Sequence, residues 1–374
     1  MKLSIAKAEL QRGLGRIQSI VEKRNTMPIL ANVLLEARKQ GKEGVLDFAA
    51  TDLEVAIRGS QAAQVDKTGR VTASAKKLYE IVRELPDENV RIEATSESYL
   101  TIRCARAEFT LAGASAEEYP TLPSLPLENL ASVQAPVFAQ MIERTMYASS
   151  ADETRYNLNG VYLELIPETH KIRMVATDGH RLAYVDRSLG GEIHGLTGGV
   201  IIPRKALGEL KRLLEEEDAD ELELGFQGNS GVVRKKGVTL TMRLIEGEFP
   251  SYRQVIPREA KVQLVLAAEP LGHALRRVAV LSTEQTRAVK LELSPGLLKL
   301  SSSNPDLGQA HEELDVDYAG EPVQIAFNAR YLLDAIAVMG AKELRLSLQD
   351  PLSPARIVPT DDEDTLAVVM PMRA

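Results

Sequence analysis

The chain has 374 residues, 44% of them apolar and 26% charged, which is the make-up of an ordinary globular protein with room for two or three domains. No apolar run nears the roughly 18 residues of a membrane span. The opening MKLSIAKAEL is broken by Lys7 and Glu9 and lacks a signal-peptide core, and the single cysteine, Cys104, excludes an internal disulfide and fits a reducing cytoplasm. Taken alone, the formal charge of −8 argues against a nucleic-acid partner.

In chain order, the first expected element is an amphipathic helix over residues 4–24, with apolar side chains at helical spacing from Ile5 to Ile20. β-rich segments ending in GVLDFAATD follow, then a second helix over 74–84 and the hairpin VRIEATSESYLTIRCARAEFTLAG. After the Pro-rich EEYPTLPSLPLENL the order returns: a helix over 136–149, the strands of KIRMVATDGHRLAYVD, a helix over 203–214, and the hairpin of ELELGFQGNSGVVRKKGVTLTMRLIEG. GEFPSYRQVIPRE then leads into a third round, with helices over 269–281 and 328–339 and the segment LLKLSSSNPD between them.

Fixed landmarks make this a threefold repeat. Asp52, Asp178 and Asn304 are spaced 126 and 126 residues apart, Val33, Val161 and Val289 are 128 and 128 apart, and Leu78, Leu207 and Leu332 are 129 and 125 apart. Each copy reads as two helices on an antiparallel sheet, so the fold class is α+β with three similar domains, 1–126, 127–253 and 254–374. Ala-Thr-Asp falls where a strand enters a tight turn, and for the first copy turn chemistry alone accounts for it.

The charge is unevenly placed. The six expected helices hold 16 Lys and Arg against 8 Asp and Glu, which leaves the rest of the chain at −16. Helices gathered on one side would attract phosphates while an acidic exterior disfavours other contacts. With no Trp and 4% aromatics, stacking platforms for unpaired bases are scarce, so the expected contact is duplex backbone, independent of sequence. Signatures of catalysis are missing: there is no GxxxxGK[ST], GxSxG or HExxH, HEELD at His311 ends on Asp315, and the five histidines lie far apart. His180 is the one tempting base, and no nucleophile motif accompanies it.

MPILANVLLEA, ATDGHRLA, IPRKALGELKRLL, EFPSYRQVIP, LSTEQTRAVKLEL and the terminal VVMPMR together make the chain resemble, over its whole length and in order, the bacterial β sliding clamps of DNA polymerase III. The resemblance implies the DNA clamp fold, a ring of two subunits closed around duplex DNA with helices lining the inner surface. It implies docking of the polymerase III α subunit, other DNA polymerases and repair proteins through short peptides, and opening by an ATP-dependent clamp loader. No catalytic residue, metal, cofactor or membrane is implied, and the expected location is cytoplasmic.

By the same resemblance a peptide-binding pocket is lined by Leu158, Thr177, Gly179, His180, Arg181, Leu182, Pro250, Val255, Leu352, Pro354, Val368, Met370, Pro371, Met372 and Arg373, with Arg181 and Arg373 at its rim. The first copy's TDLEVA has lost Gly-His-Arg-Leu, so only the middle copy is expected to bind. Arg24, Lys76, Lys77, Tyr156, Arg204, Lys205, Arg276 and Arg277 are the DNA-facing set. The dimer contact centres on Phe109 against Val280 and Leu281, with NPDLGQAHEELDVD facing Arg103 and Arg106. Asn157 stands where a second Tyr often follows Tyr156, and Gln254 where a basic residue often precedes Val255, which shifts the expected peptide preference.

Helix packing gives an independent check on the ring. Helices side by side sit about 10 Å apart, so six close a circle about 19 Å across at the axes, with about 9 Å left open. That is narrower than the roughly 16 Å of DNA's two groove depths. Twelve helices leave about 28 Å, so two chains suffice. Two other readings use the same residues: a phosphate-handling enzyme built on His180 and Asp178, and a scaffold that binds peptides without encircling DNA.

Overall fold

The structure, a computed structural model, describes the chain except residues 22–26, 41–42, 95–98, 123–129, 190–192, 194–195, 197, 216–219, 283–286 and 373–374. The first copy runs β1 (Lys2–Ala6), α1 (Lys7–Ile17), β2 (Asn32–Gln40), β3 (Glu43–Thr51), β4 (Val55–Lys67), β5 (Gly69–Ser74), α2 (Ala75–Glu84), β6 (Asn89–Ala94), β7 (Tyr99–Cys104) and β8 (Ala107–Ala114). The second runs β9 (Ala131–Gln134), α3 (Ala135–Met146), β10 (Gly160–Ile166), β11 (Lys171–Thr177), β12 (Arg181–Arg187), β13 (Val200–Pro203), α4 (Arg204–Glu215), β14 (Glu221–Gln227), β15 (Ser230–Lys235) and β16 (Val238–Arg243). The third runs β17 (Val262–Ala267), α5 (Ala268–Ala279), β18 (Ala288–Ser294), β19 (Leu297–Asn304), β20 (Gly308–Asp315), β21 (Val323–Asn328), α6 (Ala329–Met339), β22 (Glu343–Leu348), β23 (Ala355–Pro359) and β24 (Thr365–Val369).

The same order of strand, helix, four strands, helix and three strands therefore occurs three times. Each helix of the sequence reading is present, and the chief correction is at the start. The helix expected over 4–24 begins at Lys7 and ends at Ile17, because Lys2–Ala6 is a strand. Leu3 and Ile5 are buried while Lys2 is exposed, a period-two alternation that pairs β1 with both β6 and β4.

Two compact units form, one from residues 1–136, 190–195 and 208–244, the other from 137–189, 196–207 and 245–374. In the first unit a twelve-stranded sheet has the order β1-β6-β7-β8-β5-β2-β3-β4-β16-β15-β14-β9. Its first-copy part meets its second-copy part where β4 pairs with β16, Ile57 opposite Leu240. In the second unit an eight-stranded sheet runs β13-β10-β11-β12-β24-β23-β22-β17, and here β12 and β24 join the second copy to the third. A separate four-stranded sheet, β20-β19-β18-β21, completes this unit.

Helices cover these sheets through apolar stripes. Leu10, Leu14 and Ile17 of α1 recur every three or four residues and are buried, and Leu78 and Val82 do the same on α2. In the second unit Leu271, Leu275 and Val278 of α5 and Leu332, Ala335 and Met339 of α6 share a core with Phe327. Gly160 opens β10 at a close approach, where a Cβ would sit 2.3 Å from the Ile202 carbonyl oxygen. Gly160→Ala must displace β13 and is expected to cost about 1–3 kcal/mol of stability. A thermal melt unchanged from that of the parent chain would show that β13 yields freely.

Candidate functional site

The repeated Ala-Thr-Asp is one turn built twice. In the first copy the Thr51 hydroxyl donates to the Val55 carbonyl (2.9 Å) and accepts the Leu53 amide (2.9 Å), while Asp52 Oδ1 accepts the amides of Glu54 (2.9 Å) and Val55 (2.7 Å). In the second, the Thr177 hydroxyl donates to the Arg181 carbonyl (2.7 Å) and accepts the Gly179 amide (3.1 Å), while Asp178 Oδ1 accepts the amides of His180 (2.9 Å) and Arg181 (3.0 Å). Short polar side chains that satisfy nearby amides are what a tight turn requires. The residue after Asp has positive φ in both, Leu53 at 81° and Gly179 at 86°, a conformation that glycine adopts without steric cost. What separates the copies is therefore the surroundings of the turn.

From the second turn β12 runs beside β24, with Leu182 opposite Val368. Past β24 the Met370 amide donates to the His180 carbonyl (2.9 Å) and the Met372 amide to the Ala326 carbonyl (2.7 Å), which ties the C-terminal segment to the turn. Ala355 lies opposite Val369, so Pro354 and Leu352 are at the same end of the sheet. Tyr252 packs with Val175, Leu182, Val358, Leu366 and Val368, and its neighbours Phe249 and Ile256 lie against that cluster. Leu182 and Val368 thus form a buried floor, and Leu158 is also buried. Val255, Met370 and Leu352, the last 78% exposed, stand out into solvent. Gly179, His180 and Pro250 are exposed too, while Thr177, Pro354, Pro371 and Met372 are half-buried. Exposed large apolar side chains beside an apolar floor are the composition of a groove for an apolar ligand.

Arg181 is not at a rim. Its side chain is only 10% exposed and points into an ion-pair cluster with Asp178 and Asp334. The sequence does not show this, because Asp334 is 153 residues away and belongs to another copy. Arg373 and Arg24 lie outside the described residues. Asn157 donates to the Glu248 carbonyl (3.1 Å) and Gln254 sits in the short 3-10 turn Tyr252–Gln254, so one departure contacts the connector that flanks the floor and the other lies within it. The Arg173 guanidinium pairs with Asp186 (2.5 Å) and donates to Tyr252 Oη (3.1 Å), which in turn donates to Glu164. Burial, aided by the Glu164 carboxylate, pushes the Tyr252 phenol up to about 12, so it stays a neutral donor.

The basic residues fall on helices of both units. Lys76 and Lys77 open α2, with ammonium groups 3.7 and 2.8 Å from Glu80. Arg204 and Lys205 open α4, and Arg276 and Arg277 lie near the end of α5. Arg277 pairs with Glu312 of β20, whose carboxyl that guanidinium holds below its usual range. Tyr156 is well exposed. Of the expected dimer residues, Phe109 is exposed on β8, Val280 is 73% exposed just past α5, and Leu281 is half-buried. Arg103 already pairs within its own sheet, with Glu108 (2.9 Å) and Glu93 (3.7 Å), which leaves exposed Arg106 the better placed of the two to meet an outside carboxylate. Among the described residues no group of three or more His, Cys, Asp or Glu could hold a metal ion, and no helix is long and apolar enough to cross a membrane.

Comparison with known proteins matches all three copies. The family descriptions DNA polymerase III beta subunit N-terminal, central and C-terminal domain match residues 1–123, 132–251 and 253–373. The chain is 40% identical over 377 residues to a beta sliding clamp of Caulobacter vibrioides and 37% identical over 380 residues to that of Pseudomonas aeruginosa, with full coverage of both partners in each case. A solved beta sliding clamp from Caulobacter crescentus superposes with a TM-score of 0.93 at 40% identity over the whole of both chains. The DNA polymerase III subunit beta of Bartonella birtlesii, solved bound to griselimycin, gives a TM-score of 0.95 at 35% identity, again over the whole of both.

Proposed function

The chain belongs to the DNA polymerase III β-subunit family, the β sliding clamps, and from that premise we propose that it is a replication processivity factor that works as a closed dimeric ring around duplex DNA. The observation that carries the reading is strand pairing. The pairings β4 with β16 and β12 with β24 join successive copies through counterpart strands. Their third-round counterparts are β20 and β8. Among the described residues β20 pairs only with β19, and β8 touches β5 only at Thr72 and Ala73, so both present an open edge. A second copy of the chain, head-to-tail, supplies each edge with its partner, and twofold symmetry closes the ring at two such joints.

The repeat also supplies a register. Arg58 opposite Thr239 in the β4–β16 pair translates into Ala310 opposite Glu108, with Phe109 facing Gln309 and Arg106 facing Glu312. We take domain boundaries at 1–126, 127–253 and 254–374, and Lys76, Lys77, Arg204, Lys205, Arg276 and Arg277 as sequence-independent phosphate contacts that weaken with salt.

The apolar groove of the second and third copies is the docking site for short peptides of the polymerase III α subunit, the clamp loader, and other polymerases and repair proteins. Its Leu, Val, Pro and Met surface suits varied apolar side chains. Griselimycin, to which the Bartonella birtlesii relative was solved bound, is expected to enter this groove. We take the protein to be non-catalytic and cytoplasmic; among the described residues the Asp178 carboxylate serves its own turn and Arg181 rather than the His180 ring.

The test is topological. Loaded by its loader and ATP onto nicked circular DNA and washed in high salt, the chain should stay on circles and leave once the DNA is linearised, because salt weakens ordinary phosphate contacts on both forms alike. Equal release from both forms, with loading otherwise active, would leave only a peptide-binding scaffold.

A further inference from the structure

The groove turn is anchored by α6 through a buried arginine. Arg181 Nε donates to Asp178 Oδ2 (3.1 Å), Nη1 to Asp334 Oδ2 (2.6 Å) and Nη2 to the Tyr147 carbonyl (2.7 Å). Its guanidinium also lies 4.6 Å from the ring centroid of Tyr331 and 5.3 Å from that of Tyr147, within cation–π range of both. Every nitrogen of the fork is therefore engaged, in the rigid multidentate geometry that suits arginine. The exposed Arg330 is a more distant partner for Asp334 at 3.8 Å. On the neighbouring residue, the His180 imidazole stacks on Tyr331 at 6.4 Å with 18° between the planes. Two consecutive residues of the turn are thus gripped by two residues of one helix, Asp334 and Tyr331.

We infer that Asp334 and Tyr331 are positioning residues for the peptide groove, fixing the 177–181 turn through Arg181 and His180 although neither belongs to the groove set. This rests on the groove reading above. The turn carries Gly179 and His180, and the His180 carbonyl holds the Met370 amide, so order imposed at Arg181 passes to the C-terminal wall as well. A turn held before the ligand arrives spares the ligand the cost of ordering it, which raises affinity without any added contact. With Asp334 neutralised, Arg181 keeps Asp178 and the Tyr147 carbonyl but loses its shortest ion pair. The turn then samples conformations that ligand binding must select against.

The probe is griselimycin, titrated onto the full chain with rates read by surface plasmon resonance. Asp334→Asn is expected to weaken binding about tenfold, mainly through faster dissociation. Hydrogen exchange at the Gly179–Arg181 amides should accelerate in the unliganded variant. Tyr331→Leu should act in the same direction, and Asp334→Glu should recover most of the affinity. Gly160→Ala is the control for general destabilisation: a loss of affinity equal to that of Asp334→Asn would overturn the inference, as would unchanged affinity in both α6 variants. Leu182→Asp tests the groove itself. If it binds like the parent chain, the groove reading fails and takes the inference with it; if it abolishes binding while the α6 variants do not alter it, only the inference fails.

Discussion

Phe109→Asp is expected to raise the dissociation constant of the dimer at least about 100-fold, measured by sedimentation equilibrium, with little change in the melting temperature of the monomer. Phe109 is exposed on the open stretch of β8, opposite Ile102 of β7, so the folded subunit is expected to lose little by the change. In the proposed dimer the position would face Gln309 of the second copy, beside the apolar pair Val280 and Leu281. A carboxylate there must be buried unpaired against apolar surface, and charge on an edge strand also blocks the pairing that the edge invites. The proposed ring has two such joints, so the cost would be counted twice: about 1.5–2 kcal/mol at each reaches the stated factor. Arg106→Glu, opposite Glu312 in the same register, should act more weakly because Arg277 already partly neutralises that carboxylate. A dimer unaffected by Phe109→Asp would reject edge pairing between β8 and β20.

The threefold architecture is legible in the sequence because the repeat period and the turn residues are local patterns. Thr-Asp at 51–52 and 177–178 fixes the same hydrogen bonds in both copies, and Leu78, Leu207 and Leu332 mark the same helix. The floor residues Leu182 and Val368 carry no such local mark, since β24 is buried at all five positions and β12 does not alternate strictly, and only the family resemblance singles them out. What the sequence hides are polar partners distant along the chain. Arg181 reads as an exposed charge until α6 brings Asp334 to it. The Arg144–Asp362 pair spans 218 residues and leaves no periodic trace. The missed strand β1 has a different cause: with only five residues, its alternating Leu3 and Ile5 merge into the helical spacing of Leu10 and Leu14 that follows.

That hidden pair supports the second large effect. Asp362, in the turn between β23 and β24, accepts from Arg144 of α3 and Arg187 of β12, and also from the Thr365 hydroxyl (2.8 Å) and the Asp364 amide (3.1 Å). Arg144 further donates to the Met339 carbonyl at the end of α6 (3.2 Å). One carboxylate thus ties two copies of the repeat together beside the β12–β24 junction. Asp362→Ala leaves two mostly buried guanidinium groups without their shared counter-ion. Breaking a fully buried pair in this way costs about 3–5 kcal/mol, and the partial exposure here brings the expected loss nearer 2–3 kcal/mol. Adding Arg187→Gln should return part of it, because the unpaired charge and not the missing contact is the main cost.

The pH dependence has a definite sign. Burial alone would raise the Asp362 carboxyl, but the Thr365 hydroxyl and the guanidinium groups of Arg187 and Arg144 outweigh it and hold the group below its ordinary range. A carboxyl lowered in the folded state binds its proton more readily when unfolded. Its contribution is therefore complete above the unfolded value of about 4 and fades as pH falls through the folded one. The gap in unfolding free energy between the parent chain and Asp362→Asn should accordingly be largest near neutral pH and shrink below about pH 4. A gap that stayed constant down to pH 3 would mean that the charge of Asp362 contributes nothing, and that the turn is held by its Thr365 and Asp364 hydrogen bonds alone.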